Sequence, residues 1–405
     1  MDAHRGGHTP TLIASFLHFD VCFMLWVLIG ATGTFVADAA HLDPAQKGLM
    51  VAIPVLTGSL LRFPLGILSD HIGGRRVGVA MLLFLAVPLI FGWRMTTASA
   101  GSIYALGAAL GVAGASFAVV LPLASRWYPA ERQGLVMGIA AAGNSGTVIA
   151  NLAAPRLAAA LGWHAVFGLA LIPLFVILCT FTLMARDSTA ARTPLRAVTY
   201  ARVMRQPDIW WFCLLYCVTF GGYVGLGSFL PIFLRDHYKL TPTDAGLLTA
   251  LAAFVGSGIR PVGGYLADRV GGAALLRWVL LAVAVAYAAA STLPPLPVMA
   301  VVLVLGMACL GTGNGAVFQL VPLRFAGQIG LATGVIGAAG GIGGFLLPNV
   351  LGQMKLRAGS FGPGFLALAL FAAAALALIQ TLFARRTEWR MSWRLQPSAE
   401  ETASA

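Results

Sequence analysis

The stretch GSLLRFPLGILSDHIGG, residues 58–74, is followed 198 residues later by the related stretch GSGIRPVGGYLADRVGG, residues 256–272. The likeness includes seven pairs of identical residues at this one offset, more than chance would place in so short a stretch. The pairs are Gly58 and Gly256, Arg62 and Arg260, Gly66 and Gly264, Leu68 and Leu266, Asp70 and Asp268, Gly73 and Gly271, and Gly74 and Gly272. The chain is therefore built as two similar halves, arranged as parallel repeats.

Both stretches lie in a chain of unusual composition. Of its 405 residues, 59% are hydrophobic and only 10% are charged, whereas soluble domains carry roughly 25% charged residues. The apolar residues form blocks of about 20, long enough to cross a hydrocarbon core of about 30 Å. This predicts an all-α membrane protein with twelve transmembrane helices. We number these helices spans 1 to 12 and place them at 12–37, 47–69, 76–95, 100–123, 134–156, 163–185, 209–234, 245–267, 273–292, 297–323, 329–352 and 361–384.

The longest polar stretch inside the chain, residues 186–208, separates spans 6 and 7. It predicts an N-terminal six-helix bundle (1–185), a linker (186–208), a C-terminal six-helix bundle (209–384) and a tail (385–405). Of the 26 basic residues, 17 lie on the side of the linker and the two termini. Because cytoplasmic loops are enriched in Lys and Arg, we expect that side to be cytoplasmic, in a bacterial-type inner membrane. The net charge of +12 thus reflects topology, and nucleic-acid binding is not expected.

Two arginines lie deep inside predicted spans. Arg62 precedes Asp70 by eight residues, and Arg260 stands in the same relation to Asp268. At about 1.5 Å per residue, each arginine lies about 12 Å in from the end of its helix. A membrane arginine is costly and usually faces a protein interior or a water-filled cavity. Only one acid, Asp20, lies well inside a span, so the two arginines predict a positive site for a small anion.

A guanidinium group suits a planar oxyanion because it donates two parallel hydrogen bonds and stays charged. The arginines have a second interpretation, which the residues alone leave open. Each could instead satisfy carbonyl groups of broken helices, or pair separately with Asp20.

The ends of the repeated stretches resemble the loop signature of the major facilitator superfamily. That resemblance implies two six-helix halves around a central cavity. Asp70 and Asp268 lie at the ends of their helices, and Arg75 and Arg76 follow Asp70. In that superfamily such residues form contacts between helices that hold the outward-facing state. The resemblance therefore assigns these four residues to gating rather than to substrate binding.

Four further segments resemble the nitrate/nitrite porter family of that superfamily. They are GIAAAGNSG (138–146) in span 5, GVIGAAGGIGGF (334–345) in span 11, GTGNGAVFQ (311–319) in span 10 and LYCVTFG (215–221) in span 7. The resemblance extends from about residue 15 to residue 350. It implies secondary active transport of nitrate and/or nitrite by alternating access, in the setting of nitrate assimilation, and not an enzyme activity.

The resemblance also implies site residues. Arg62 and Arg260 match the arginines that clamp the anion in that family. The other substrate-binding matches are Tyr216 and Phe220 in span 7, Phe117 in span 4 and Asn144 in span 5. Tyr216 can donate its hydroxyl proton to an anion, and the two phenylalanines could enclose a flat one. Ser116 departs from the asparagine that many members carry before the span 4 phenylalanine.

Glycines in spans 5 and 11 recur at spacings of three and four residues, which allows close helix approach and sliding. We assign Gly143, Gly340 and Gly341 to this moving interface. Static packing would give the same pattern, so the glycines alone do not separate the two interpretations.

Asp20 leaves the energy coupling open. The scarcity of membrane acids favours nitrate/nitrite exchange, in which one anion replaces another to shield the arginines. Asp20 could instead carry a coupling proton, which would give nitrate–proton symport. As a third interpretation, it is a structural partner of an arginine.

Transport of another small anion, such as a carboxylate, is the main alternative function. An anion-sensing receptor is a remote one, because the tail is short. Neither a set of catalytic residues nor a metal-ligand or phosphate-loop motif occurs in the sequence. We therefore expect no cofactor and no metal, and we expect the chain to act as a monomer in the lipid bilayer.

Overall fold

The computed structural model describes residues 7–128, 136, 139–188, 203–325 and 329–391. Within these ranges the regular elements are helical, and eleven helices are long and apolar enough to cross a membrane. Span 5 is described as the helix Gly146–Leu161 after a 3-10 turn at Ala142–Ser145. The rest of its predicted range, 134–156, lies partly outside the described residues. The predicted all-α membrane fold with twelve spans is confirmed.

Each of the remaining spans consists of one to three helical segments. Span 1 comprises Thr9–Trp26, Leu28–Ala31 and Gly33–Ala39; span 2 Pro44–Ile72; span 3 Gly74–Arg94; span 4 Ala100–Leu110, Gly111–Ala115 and Phe117–Ser125; span 6 Trp163–Met184; span 7 Pro207–Tyr238; span 8 Pro242–Gly258 and Arg260–Val270; span 9 Gly272–Ser291; span 10 Leu296–Arg324; span 11 Ile329–Ala358; span 12 Gly362–Arg385. A short helix, Thr387–Arg390, follows span 12.

Several helices continue beyond their predicted ends. Span 11, expected to end near residue 352, runs to Ala358 and includes Lys355 and Arg357. Hydropathy marks only the part of a helix inside the hydrocarbon core, whereas the backbone hydrogen bonds continue into the polar region. The predicted linker cannot be compared in full, because residues 189–202 lie outside the described ranges.

Spans 4 and 8 are interrupted in the region of the two arginines. Span 4 changes to a 3-10 helix over Gly111–Ala115. Span 8 breaks at Ile259, immediately before Arg260 and Pro261. Proline lacks the N–H that would bond the preceding turn, and its ring crowds that turn's carbonyl group, so a break is expected there. Irregular backbone of this kind is tolerated in a membrane where protein buries it.

Span 7 is the most buried of the described spans and forms the centre of the molecule. Spans 3 and 6 pack on each other at the outside of one half, and spans 9 and 12 do the same in the other. The halves meet mainly through span 2 against span 11 and span 5 against span 8. Spans 2 and 8 are equivalent in the repeat, as are spans 5 and 11, so the interface follows the internal repeat.

Ion pairs between the halves lie at the end of the bundle opposite the linker. Lys47 at the start of span 2 bonds Asp236 at the end of span 7 at 2.8 Å. Arg235 bonds Asp38 at the end of span 1 at 2.6 Å. These partners belong to different halves, so the halves are closed against each other at that end.

Candidate anion-binding site

Arg62 lies at the centre of the interface between the halves and is only 1% exposed. Its Nε atom donates to the Gly114 carbonyl of span 4 at 3.0 Å. Its Nη1 atom donates to the Gly337 carbonyl of span 11 at 2.5 Å. The Nη2 atom is buried without an acceptor in the described structure. Two of the three nitrogens therefore satisfy carbonyl groups, one of them in the 3-10 turn of span 4, and one remains free to bind an anion.

Arg260 enters from the other half and is less buried than Arg62. Its Nη1 atom is also buried without an acceptor among the described residues. Its guanidinium group interacts with the hydroxyl group of Tyr216. Neither arginine forms an ion pair with a residue in the described ranges. The interpretation in which each pairs with Asp20 has no support from these contacts.

One aromatic ring connects the two arginines. The guanidinium carbon of Arg62 lies 5.3 Å from the ring centre of Phe220, and that of Arg260 lies 6.0 Å from it. Phe117 flanks Arg62 at 5.2 Å. Tyr216 stacks on Phe220 with ring centres 4.9 Å apart. The predicted arginines and aromatic residues are thus brought together in one cluster, although the phenylalanines contact Arg62 itself.

Two aromatic residues complete this cluster and were not predicted from the sequence. Phe318 of span 10 lies 6.1 Å from Phe117 and 5.0 Å from Tyr216, measured between ring centres, so it joins the two halves. Trp26 of span 1 lies 5.5 Å from the Arg62 guanidinium carbon. The only signal for Trp26 in the sequence is its position in the middle of an apolar span.

Asn144, which was predicted to bind substrate, lies apart from the arginines, whereas Asn314, which was not predicted, is buried near the aromatic cluster. Asn144 is buried in the turn before the span 5 helix, which packs against spans 1 and 8. It makes no hydrogen bond to either arginine within the described structure. Asn314, one turn before Phe318 in span 10, is fully buried, and neither atom of its amide group has a described partner. Asn314 belongs to the glycine-rich segment of span 10 but was not predicted as a site residue.

The profile of the Major Facilitator Superfamily matches residues 14–348. The chain belongs to this superfamily.

Similar proteins narrow the family further. The chain is 35% identical over 362 residues to the nitrite extrusion protein of Bacillus subtilis (strain 168), covering 88% of this chain and 90% of that protein. It is 34% identical over 356 residues to the probable nitrate/nitrite transporter NarK2 of Mycobacterium tuberculosis (strain ATCC 25618 / H37Rv), covering 86% and 89%. It is 30% identical over 408 residues to the probable nitrate/nitrite antiporter NarK1 of Thermus thermophilus, covering 92% and 91%. The predicted nitrate/nitrite porter family is confirmed, and the protein is a transporter and not an enzyme.

Solved structures agree on the fold. A bacterial homologue of the human lysosomal transporter Spinster, in an inward-facing and occupied conformation, matches with a TM-score of 0.72 at 18% identity. The match covers 96% of this chain and 98% of that one. This similarity supports the superfamily fold alone.

The glycines of span 11 in this porter face two different neighbours. Gly337 lies against Arg62, and a Cβ atom there would be 3.2 Å from Nη1. A Cβ atom at Gly341 would overlap the Ser59 hydroxyl of span 2. A Cβ atom at Gly340 would overlap the ring of Tyr216 in span 7. Span 11 is therefore held tightly between spans 2 and 7, and larger side chains at these positions would force the helices apart.

Asp20 lies in the contact between spans 1 and 5. It accepts a hydrogen bond from the Ser145 hydroxyl at 2.6 Å, and the Gly146 N–H also donates to it. Gly143 packs on the backbone of span 1 at the same place. His18 points elsewhere, with a ring nitrogen 3.2 Å from a carbonyl oxygen of span 3. The carboxylate is thus held by neutral donors and not by a guanidinium group in the described ranges.

The residues predicted to act in gating are not equivalent in the two halves. Asp70 forms an ion pair with Arg126 of span 4, within the N-terminal half. Asp268 is exposed and has no ion pair with a described residue. The repeat equivalent of Arg126 is Arg324, which instead bonds Asp208 at 2.6 Å. The ion pairs of the described residues at this end therefore do not follow the internal repeat.

We expect Asp70→Asn to slow nitrate transport several-fold while nitrate affinity changes by no more than a few-fold. Asp70 joins spans 2 and 4 through Arg126, and it lies about 12 Å along its helix from Arg62. The measurement pairs initial rates of nitrate uptake into proteoliposomes with a nitrate titration of the purified protein. Asp268→Asn is the matched control and should have the smaller effect. A large loss of affinity with normal turnover in Asp70→Asn contradicts the assignment.

Proposed function

We propose that the protein transports nitrate and/or nitrite by alternating access, with the anion held between Arg62 and Arg260. The observation that carries this proposal is the convergence of both guanidinium groups on the ring of Phe220. Each arginine keeps one buried nitrogen without an acceptor in the described structure. Buried donors without partners are costly, so an anion that accepts from both offsets that cost.

The electrostatics favour a small anion over other ligands. The two cations approach each other in a buried setting, and the described ranges contain no ion pair to either of them. A charge in such a setting has to be paired or hydrogen-bonded. The rings of Phe117, Phe220, Tyr216 and Phe318 surround the guanidinium groups with apolar, aromatic faces. A planar oxyanion meets both requirements, because its edge accepts from the guanidinium groups and its faces contact rings.

The names of the similar proteins support the same substrate. The relatives are named for nitrite extrusion, nitrate/nitrite transport and nitrate/nitrite antiport. Support for alternating access comes from the interface between the halves, which is closed opposite the linker by the Lys47–Asp236 and Arg235–Asp38 pairs. Opening that end requires both pairs to separate and span 11 to move off span 2.

Asp20 decides the form of coupling. If it carries a proton, uptake is nitrate–proton symport; if it only anchors span 5 through Ser145, the protein is an exchanger. In symport, an inward proton gradient should drive nitrate accumulation into vesicles that hold no nitrite. Asp20→Asn should then lose that accumulation while it keeps nitrate/nitrite exchange, because the arginines are untouched. If the protein is an exchanger, nitrate uptake by wild type and variant should be independent of the pH gradient and should require internal nitrite.

A second variant separates the charge of Asp20 from its hydrogen bond. Ser145→Ala removes the hydroxyl that donates to Asp20 and leaves the carboxyl group in place. If Asp20 carries the coupling proton, Ser145→Ala should keep accumulation driven by the proton gradient. If Asp20 only anchors span 5, Ser145→Ala and Asp20→Asn should impair exchange to a similar extent.

The same vesicles test the proposed substrate. Formate is the matched competitor, because it is a planar anion of similar size that carries a carboxylate. Wild-type protein should take up nitrate or nitrite in preference to formate when the anions are present at equal concentration. Uptake of formate with no competition by nitrate and nitrite would overturn the proposal in favour of carboxylate transport.

A further inference from the structure

An open cleft of about 530 Å³ lies at the linker end of the N-terminal half, far from the arginine pair. It is formed where span 2 ends, span 3 begins and span 6 ends. Its walls include three arginines, Arg75, Arg76 and Arg186, together with one acid, Asp187. The cleft therefore carries an excess of positive charge in a small space.

The arginines of the cleft are only partly occupied by protein contacts. Arg75 donates from Nη2 to the Thr182 carbonyl at 2.7 Å, while its Nε is buried without an acceptor in the described ranges. Its backbone N–H bonds Asp187 at 3.3 Å. Arg76 and Arg186 are exposed and make no ion pair with a residue that the structure describes. Several strong hydrogen-bond donors are thus available to an anion of high charge density.

The wall of the cleft on the outside of the bundle is apolar. Leu183 is 79% exposed and Ile72 is 42% exposed, and both line the cleft. Span 6, which carries Leu183, has the smallest buried share of the described spans, so it faces outward from the bundle. A ligand in this cleft meets guanidinium groups at the helix ends and hydrocarbon side chains directly beside them.

We propose that this cleft binds the phosphate group of an anionic phospholipid head group, with an acyl chain lying along Leu183 and Ile72. Basic pockets between transmembrane helices at the membrane surface have the chemistry to bind such head groups. Arginine suits phosphate because it donates in a fork geometry. The apolar wall distinguishes a lipid from free phosphate, which gains nothing from exposed leucine and isoleucine. Because the cleft joins spans 3 and 6 at the linker end, a bound lipid ties the outer helices of this half together.

The test is native mass spectrometry of the purified full chain titrated with phosphatidylglycerol, with phosphatidylcholine as the comparison lipid of zero net charge. Wild-type protein should bind phosphatidylglycerol in preference, and apparent affinity should fall about fivefold for each arginine removed. The variants are Arg76→Gln and the double variant Arg76→Gln/Arg186→Gln. Arg75 is kept, because its bond to Thr182 holds span 3 on span 6. Arg357→Gln, an exposed arginine at the opposite end of the bundle, is the matched control.

Three results overturn the proposal. The first is equal phosphatidylglycerol binding by wild type and the double variant, when thermal melting in neutral detergent shows that both proteins are folded. The second is an equal loss of binding in Arg357→Gln, which makes the preference a general charge effect. The third is occupancy by inorganic phosphate alone that blocks phosphatidylglycerol at equal concentration, which makes the cleft a free-phosphate site. Retention of lipid binding by Arg357→Gln together with stepwise loss in the two variants supports it.

Discussion

Replacing Arg62 or Arg260 by lysine should nearly abolish nitrate binding although the charge is kept. Lysine has a single ammonium group and lacks the planar fork, so it cannot hold two oxygens of one anion. The loss of one charge-assisted hydrogen bond costs about 1.5–3 kcal/mol, or roughly ten- to a hundredfold in affinity. Arg260→Lys is the cleaner variant, because Arg62 also donates to the Gly114 and Gly337 carbonyls.

Calorimetric titration of the purified protein with nitrate measures this effect. Arg357→Lys serves as the control, since that arginine is exposed near the end of span 11 and far from the site. Thermal melting of each variant separates a lost ligand contact from a lost fold. Full nitrate affinity in both Arg62→Lys and Arg260→Lys would contradict a binding site formed by the two arginines.

A second large effect is expected from Gly341→Ala. A Cβ atom at this position overlaps the Ser59 hydroxyl, so spans 2 and 11 cannot come as close as they now are. Overpacking of this kind costs about 1–3 kcal/mol, and it acts on the state that is closed opposite the linker. We expect nitrate exchange to fall roughly tenfold or more, because that state becomes rare.

A second substitution should rescue Gly341→Ala. Ser59→Gly removes the obstructing side chain, so Gly341→Ala/Ser59→Gly should recover a large part of the exchange rate. Gly101→Ala is the matched control, because a Cβ atom there meets nothing within 4 Å. The nitrate exchange rate is measured in proteoliposomes for the wild type and for these three variants. Normal exchange by Gly341→Ala alone, or a double variant no better than the single one, contradicts a role for this close contact.

Much of the fold could be predicted from the sequence because membrane burial leaves a strong signal. Blocks of apolar residues indicated the spans, and the repeat at offset 198 indicated the two halves. The position of Arg62 and Arg260 could be predicted because so few charges lie inside the membrane. The break of span 8 at Ile259 is also consistent with Pro261, since proline disrupts a helix at a fixed place.

Other features depend on contacts that sequence spacing does not encode. The stripe of small residues in span 11 indicated close packing, but not that Gly340 faces span 7 while Gly341 faces span 2. Phe318 could not be separated from an ordinary core phenylalanine without the fold. The repeat also does not encode the ion pairs at the linker end, where Arg324, the repeat equivalent of Arg126, bonds Asp208 because span 7 begins beside it.

The hydrogen bond from Arg62 to the Gly337 carbonyl joins one half of the protein to the other. With no anion bound, this bond has to break before the halves can rock apart. In the proposed mechanism, an anion bound at the Nη2 atom competes with the Gly337 carbonyl for the guanidinium group, weakens this bond and lets the halves move together with their cargo. In the exchange form of the proposed mechanism, the bond therefore opposes return of the empty carrier and limits uncoupled leak, so that an ion gradient is not dissipated by cycles that carry nothing.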